Sequence, residues 1–228
     1  MSFRRRSMIS KNLLNKIEIS EFQSEAQYFG IAIDSGGLKP IEGYVDLEVF
    51  FLKATYNLTS SRILEGFLCW LIRYGHLLSP SKIRRLIKLG VPYDSSVMGG
   101  FISFLMINNI NKKQWLILKA FARKSRQPQP LLKGPVPKNP NADFLKYNVI
   151  IHNVILNEEK FLTPIVSVFK RCLPLKNRAL FGSCVNADVA SYLAVHPDAR
   201  PYEISKETAN HKARVFAIYE DIQKSLAA

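Results

Sequence analysis

The residue types that carry out catalysis are scattered along this chain. The four histidines stand in unrelated contexts: His76, His152, His196 and His211. The three cysteines, Cys69, Cys172 and Cys184, are far apart and form no C-x-x-C pair. Nucleophiles, bases and metal ligands act in groups held at short distances. We therefore predict that the chain is not an enzyme and that it holds neither a metal nor a cofactor.

Positive charge is the abundant chemical feature instead. The chain of 228 residues has 32 Lys and Arg against 18 Asp and Glu, a formal net charge of +14. A charge this far from zero implies an acidic partner, most often a nucleic acid. The 47% hydrophobic content is enough for a packed core. No apolar stretch reaches the roughly 20 residues that cross a bilayer, so we expect a soluble, cytoplasmic protein with no membrane partner.

Three successive helices near the C-terminus are predicted to position part of this charge. They run from Asn186 to Val195, from Pro201, and from His211 to about Leu226.

The small residues Ser205 and Ala209 and the branched Val215 follow one another along the last two helices. A helix-turn-helix needs small residues at the crossing and in the turn, and a branched apolar residue to anchor the second helix. The spacing therefore predicts this motif. Glycine is commonest at the place of Ala209, and we expect Asn210 to adopt the left-handed conformation there.

The stretch from Arg178 to Ile222 resembles a family of bacterial and archaeal winged-helix regulators. The matching residues are Arg178, Leu180, Phe181, Gly182, Ala187, Val189, Tyr192, Leu193, His196, Pro197, Glu203, Ile204, Lys206, Thr208 and Val215. The resemblance covers about the last fifth of the chain. It implies transcriptional regulation, in some members as the antitoxin or regulator of a defence or toxin-antitoxin operon. No residues follow the third helix to form a wing, so we expect a wingless tri-helical module or a hairpin supplied by an earlier segment.

The third helix is expected to enter the major groove of duplex DNA with its N-terminal residues facing the base edges. Lys and Arg read guanine acceptors there, and Asn210 pairs with adenine or bonds a phosphate. The preceding helix is expected to contact the DNA backbone. The predicted DNA-binding residues are Arg200, Tyr202, Lys206, Asn210, His211, Lys212 and Arg214.

Most of the positive charge lies outside this motif, because the segment from Asn186 onward is close to neutral. An N-terminal arm, a helix beginning at Pro80 and a Pro-rich linker carry it. Cations closely spaced on one surface release counterions along a nucleic-acid backbone; a solvated face and a merely soluble linker are the alternatives. The predicted secondary phosphate contacts are Arg4, Arg5, Arg6, Lys82, Arg84, Arg85, Lys88, Arg123, Lys124 and Arg126.

The fold class predicted from these patterns is mainly α, with a helical N-terminal domain and a C-terminal tri-helical, winged-helix-like domain. Helices are expected over 62–74, from Pro80 and over 112–124, and residues 146–156 form either a strand or a buried helix. Prolines as dense as those of 126–141 break helices and central strands. The predicted division is a basic arm (1–20), a mainly helical domain (21–125), a Pro-rich basic linker (126–141) and a helix-turn-helix DNA-binding domain (142–228).

Other functions compatible with the sequence remain open. In one, the protein associates with RNA or the ribosome, with Tyr147 and Trp115 stacking on bases. In another, it is a helical interaction subunit whose helix-turn-helix makes protein contacts only. In the DNA-binding reading, residues 21–125 form a homodimer or bind a partner protein.

Overall fold

Helices make up 62% of the structure, a computed structural model that describes residues 11–33, 40–110, 112–182 and 184–226. This confirms the mainly α prediction. The described α-helices are α1 (Lys11–Tyr28), α2 (Leu47–Asn57), α3 (Ser61–Tyr74), α4 (Pro80–Lys88), α5 (Ser95–Ile107), α6 (Lys112–Trp115), α7 (Ala142–Leu145), α8 (Glu158–Phe161), α9 (Ile165–Arg171), α10 (Leu173–Phe181), α11 (Val185–Leu193), α12 (Pro201–Glu207) and α13 (Lys212–Leu226). None of the helices in these ranges is long and apolar enough to cross a membrane. The predicted phosphate contacts Arg4, Arg5 and Arg6 lie outside the described residues.

The predicted helix boundaries around α3 and α4 are confirmed, and side-chain caps explain them. Ser60 precedes α3, and its hydroxyl accepts a hydrogen bond from the N–H of Ile63. Ser79 caps α4 in the same way, and Pro80 occupies the first helical position, where its missing N–H costs nothing. Both caps satisfy N–H groups that have no partner within the helix.

Two segments differ from the sequence-based prediction. The helix expected over 112–124 divides into α6 and a 3₁₀ helix, Leu116–Phe121. Residues 146–156 hold only a two-residue strand, β2 (Val149–Ile150), which pairs in parallel with β1 (Gln129–Pro130). The N–H groups of Gln129 and Leu131 donate to the carbonyl oxygens of Asn148 and Ile150, and Pro130 between them is tolerated because its nitrogen points away from β2.

One hydrophobic core continues across the Pro-rich segment 126–141. Leu131 and Leu132 of this segment pack against the core. Buried residues on both sides of it belong to the same cluster, from Phe22 through to Leu175. A separate cluster forms in the last three helices: Val189, Tyr192, Ala199, Ile204 and Val215. The break between the two cores thus lies after Leu175, later in the chain than the Pro-rich segment.

Aromatic rings fill the larger core, and two glycines of α5 let α7 approach it. Phe101 packs edge-to-face on Phe144, with ring centroids 5.6 Å apart. A Cβ atom built on Gly100 would lie 2.3 Å from Cδ1 of Phe144, and one on Gly99 would lie 2.3 Å from Cδ1 of Tyr147. The residues after the Pro-rich segment therefore reach the core only because α5 has no side chains at these two positions.

Replacing Gly100 by Ala is expected to destabilise the protein by about 1–3 kcal/mol, because the added methyl group overpacks the Phe144 contact. Helix propensity alone predicts the opposite sign, since Ala is the better helix former by about 1 kcal/mol. Urea unfolding measures the difference. Ser167→Ala, at an exposed position of α9, is the control and should stay within about 0.5 kcal/mol of wild type. A stabilised Gly100→Ala variant would contradict the packing described here.

Candidate nucleic-acid interface

The last three helices, α11, α12 and α13, are the three predicted from the sequence, and they share the smaller core. Ile204 of α12 and Val215 of α13 are fully buried in it. Val189 and Tyr192 contribute the side of α11. The apolar residues that the motif requires thus pack together, and the polar faces of α12 and α13 point away from this core.

The turn between α12 and α13 is held by short-range hydrogen bonds. The Ser205 hydroxyl donates to the carbonyl oxygen of Asn210 at 2.9 Å, and the Thr208 hydroxyl donates to the carbonyl oxygen of Ile204 at 2.7 Å. Ala209 has the left-handed conformation, with φ of 49°. The prediction that Asn210 adopts this conformation is wrong. A side chain at such a φ costs about 1–2 kcal/mol. The turn's hydrogen bonds and the packing of Ala209 against the larger core offset this strain.

Six of the seven predicted DNA-binding residues are exposed. His211 lies just before α13, and Lys212 and Arg214 lie in its first turn. The other three lie on or just before α12: Arg200, Tyr202 and Lys206. The Lys212 ammonium lies 5.3 Å from the ring centroid of Tyr202 and 5.4 Å from that of Phe216. Cation–π attraction at these distances orients the ammonium group while leaving it in contact with solvent.

Asn210 is the seventh predicted DNA-binding residue, and this prediction is wrong because its side chain is buried. Its amide nitrogen donates to Asp188 Oδ2 at 2.9 Å and to the Thr208 hydroxyl at 3.1 Å. Its amide oxygen accepts from Arg85 Nη2 at 3.1 Å. With both ends of the amide occupied, Asn210 cannot pair with a base; it instead ties the start of α13 to α4 and α11.

Lys82 is the centre of a buried ion cluster, so the prediction that it contacts phosphate is wrong. Only 4% of the residue is exposed. Its ammonium lies 2.5 Å from Asp46 Oδ2, 2.6 Å from Asp188 Oδ2 and 3.3 Å from Glu48 Oε2. The sequence placed Lys82 on the solvated face of α4, but the carboxylates that surround it come from elements remote in the chain.

Arg178 is the second cation of this ion cluster and is 1% exposed. Its two terminal nitrogens bind the two carboxylate oxygens of Glu48, with Nη2 and Oε2 2.7 Å apart. Nε and Nη2 also donate to Asp188 Oδ1, at 3.1 and 2.7 Å, and Nη1 donates to the carbonyl oxygen of Leu77. In the sequence Arg178 stands only within the motif that resembles winged-helix regulators, and no local pattern indicates its partners.

The electrostatics of the ion cluster follow from three carboxylates sharing two fully buried cations. Burial opposes ionisation of Glu48, yet the charges of Arg178 and Lys82 lower its pKa to about 2. Burial, together with the neighbouring carboxylates, raises the pKa of Asp46 to about 6 despite Lys82. Asp46 is thus a weaker acid than Glu48 and takes up a proton before it.

The remaining predicted phosphate contacts lie in different places. Arg84 and Lys88 of α4 are exposed, whereas Arg85 is half-buried and bonded to Asn210. The three cations before and within the Pro-rich segment are also exposed: Arg123, Lys124 and Arg126. The structure thus brings one residue of the secondary set, Arg85, into contact with the start of α13.

The aromatic residues expected to stack on RNA and the expected wing are two further predictions. Trp115 is fully buried and so cannot stack on RNA bases, which corrects that expectation, while Tyr147 is half-buried against Gly99. The wing expected from an earlier segment would be an antiparallel hairpin, but the one sheet within the described ranges is the parallel pair β1 and β2. Over the same ranges, no three His, Cys, Asp or Glu side chains are grouped so as to hold a metal ion.

Comparison with protein-family models finds no match, and comparison with curated proteins and with solved structures finds none either.

Replacing Arg178 by Met is expected to destabilise the protein by about 3–5 kcal/mol, because it leaves Glu48 and Asp188 buried with one cation fewer. Chemical denaturation gives the free energy of unfolding. Lys176→Met, at an exposed position of the same helix, is the matched control and should change stability by less than about 0.5 kcal/mol. Equal effects of the two substitutions would show that the Arg178 ion pairs contribute nothing.

Asp46 gives the stability of the protein a defined pH dependence. Its folded-state pKa of about 6 lies above the unfolded value of 3.8. The stabilisation that protonated Asp46 adds to the folded state is therefore fully present below the unfolded pKa, and it is lost as the pH rises through about 6.

Asp46 is the N-cap of α2, and its Oδ1 accepts from the N–H groups of Glu48 and Val49. Asp46→Asn keeps an N-cap side chain but cannot ionise, so its stability does not fall in this way. Between about pH 4.5 and about pH 7, the free energy of unfolding of wild type should fall relative to Asp46→Asn by roughly 1–3 kcal/mol. Urea denaturation at the two pH values measures this. Asp198→Asn, which changes an exposed carboxylate, should show the wild-type pH dependence; the same result for Asp46→Asn would refute the assignment.

Proposed function

We propose that this protein is a sequence-selective duplex DNA-binding transcriptional regulator in which α13 is the recognition helix. The observation that carries the proposal is the exposed group His211, Lys212 and Arg214 at the start of α13, a helix that the buried Val215 anchors in the smaller core. A helix so anchored presents its first turn to the major groove, where Lys and Arg recognise guanine. The resemblance of residues 178–222 to winged-helix regulators supports the same conclusion.

The preceding helix supplies contacts to the DNA backbone. Tyr202 and Lys206 of α12 and Arg200 before it are exposed beside α13. Phosphate contacts of this kind fix the register of a recognition helix but carry no sequence information themselves. The cation–π contact of Lys212 with Tyr202 joins the outward faces of α12 and α13, and the contact of Lys212 with Phe216 lies within α13.

Electrostatic attraction comes from outside the three helices. Arg84 and Lys88 lie on α4, which the Arg85–Asn210 hydrogen bond joins to the start of α13. Each cation placed against a backbone phosphate steepens the dependence of affinity on salt. In this proposal the exposed cations of α4 and of 123–126 supply affinity, and α13 supplies selectivity.

In this proposal α11, α12 and α13 act as a tri-helical module, and the sheet of the described ranges, the parallel pair β1 and β2, is not its wing. We place homodimerisation or binding of a partner protein in the helical region 21–125. A role as the antitoxin of a toxin-antitoxin or defence operon is the finer form of the proposal and rests on the resemblance alone.

The double substitution Lys212→Ala and Arg214→Ala is expected to abolish sequence-selective binding to duplex DNA while leaving the fold intact. Selection from a random duplex library first gives the preferred site. Fluorescence anisotropy then compares that site with a scrambled duplex, and each lost base contact should reduce discrimination by about tenfold or more.

Lys224→Ala, at the far exposed end of the same helix, is the matched control and should retain selectivity. Selectivity that survives in the double variant would show that α13 is not the recognition helix. Structured RNA is tested in parallel at several salt concentrations, and preferential binding to RNA would overturn the proposal.

A further inference from the structure

A cavity of about 350 Å³ lies where α4 and α11 meet the start of α13. Cationic and hydroxyl side chains line it: Ser79 before α4, Ser81 and Arg85 on α4, His211 before α13 and Arg214 on α13. A volume of this size is typical of sites for small ligands, which occupy roughly 300–1,000 Å³.

Arg85 has an unsatisfied hydrogen-bond donor at this cavity. Its Nη2 donates to Asn210, but its Nε is buried from solvent and has no partner among the described residues. A guanidinium has five N–H donors, and Arg85 uses one of them in the described part of the chain. Donors therefore remain for an acceptor in the cavity, which Arg85 lines.

Asp188 is the acidic side chain that borders the cavity, and both of its carboxylate oxygens already accept hydrogen bonds. Asp188 Oδ1 accepts from Arg178, and its Oδ2 accepts from Lys82 and Asn210. The carboxylates of the ion cluster thus bind Lys82 and Arg178, while Arg85 and Arg214 have no carboxylate within salt-bridge distance in the described part of the chain. Neither guanidinium is therefore held in a direct ion pair there, and both remain available to an anion in the cavity.

We propose that this cavity binds a phosphate group. A guanidinium offers several N–H donors in a fork that fits phosphate oxygens, and Arg85 presents one from inside the cavity. Arg214 adds a second guanidinium from the exposed side, and the hydroxyls of Ser79 and Ser81 add neutral donors. Phosphate binding by this cavity does not depend on the proposed DNA-binding function. The phosphate group has two possible sources: a small phosphorylated ligand or the backbone of bound DNA.

Inorganic phosphate is the probe for the cavity itself. In thermal unfolding at constant ionic strength, replacing chloride by phosphate should raise the Tm of wild type and of Arg84→Gln, the exposed neighbour outside the cavity. Arg85→Gln should weaken the apparent affinity for phosphate by about tenfold or more, as expected for a lost charged hydrogen bond.

Arg214→Gln provides a second test that leaves the buried residues untouched, and phosphate titration followed by ³¹P NMR should show the same weakening. The proposal is overturned by the absence of a phosphate-specific rise in wild type, or by an equal rise in wild type, Arg85→Gln and Arg214→Gln.

Duplex binding distinguishes the two sources. For a DNA phosphate, inorganic phosphate competes with the duplex at constant ionic strength, and Arg85→Gln lowers the slope of log K against log salt by about 1. For a small phosphorylated ligand, Arg85→Gln binds the duplex as wild type does in phosphate-free buffer. Lys212→Ala separates this inference from the proposed function, because Lys212 does not line the cavity and the substitution should leave phosphate binding unchanged even where duplex binding is lost.

Discussion

The buried guanidinium of Arg178 is the interaction on which the arrangement of the C-terminal helices depends. It comes from α10 and binds a carboxylate of α2, a carboxylate of α11 and the carbonyl oxygen of Leu77. A buried charge is tolerated only when nearly all of its donors are satisfied. These bonds require α2, α10 and α11 to meet in one geometry, so the ion cluster fixes the position of α11, on which α12 and α13 pack.

The same cluster decides which polar residues remain available to a partner. Asp188 receives hydrogen bonds from Arg178, Lys82 and Asn210, which withdraws the last two from solvent. Asn210 in turn holds Arg85, and this chain of contacts ends at the surface beside His211 and Arg214. The exposed cations at the beginning of α13 take no part in this buried network. They are therefore the residues of the candidate interface that a partner can contact.

Local structure followed from local chemistry. Ser60 and Ser79 marked the starts of α3 and α4 because a side-chain oxygen satisfies free N–H groups wherever a helix begins. The 3.6-residue spacing of apolar residues gave α11, α12 and α13, since burying one face is what stabilises a short helix. The segment 146–156 was ambiguous for the same reason: a short run of Val and Ile has no periodicity to distinguish a strand from a helix. Only the position of β1 across from it decided the outcome.

The sequence by itself determined that this is a mainly helical chain, that three helices with a tight turn stand near its end, and that its charge is strongly positive. These properties depend on residues within a few positions of one another or on composition alone. Tertiary structure decided which cations face solvent. Lys82 and Arg84 look alike on one short helix, yet one is buried among carboxylates from α2, its cap and α11 while the other is exposed. Coulomb attraction in a buried site acts between residues remote in the sequence, so no local pattern separates the two.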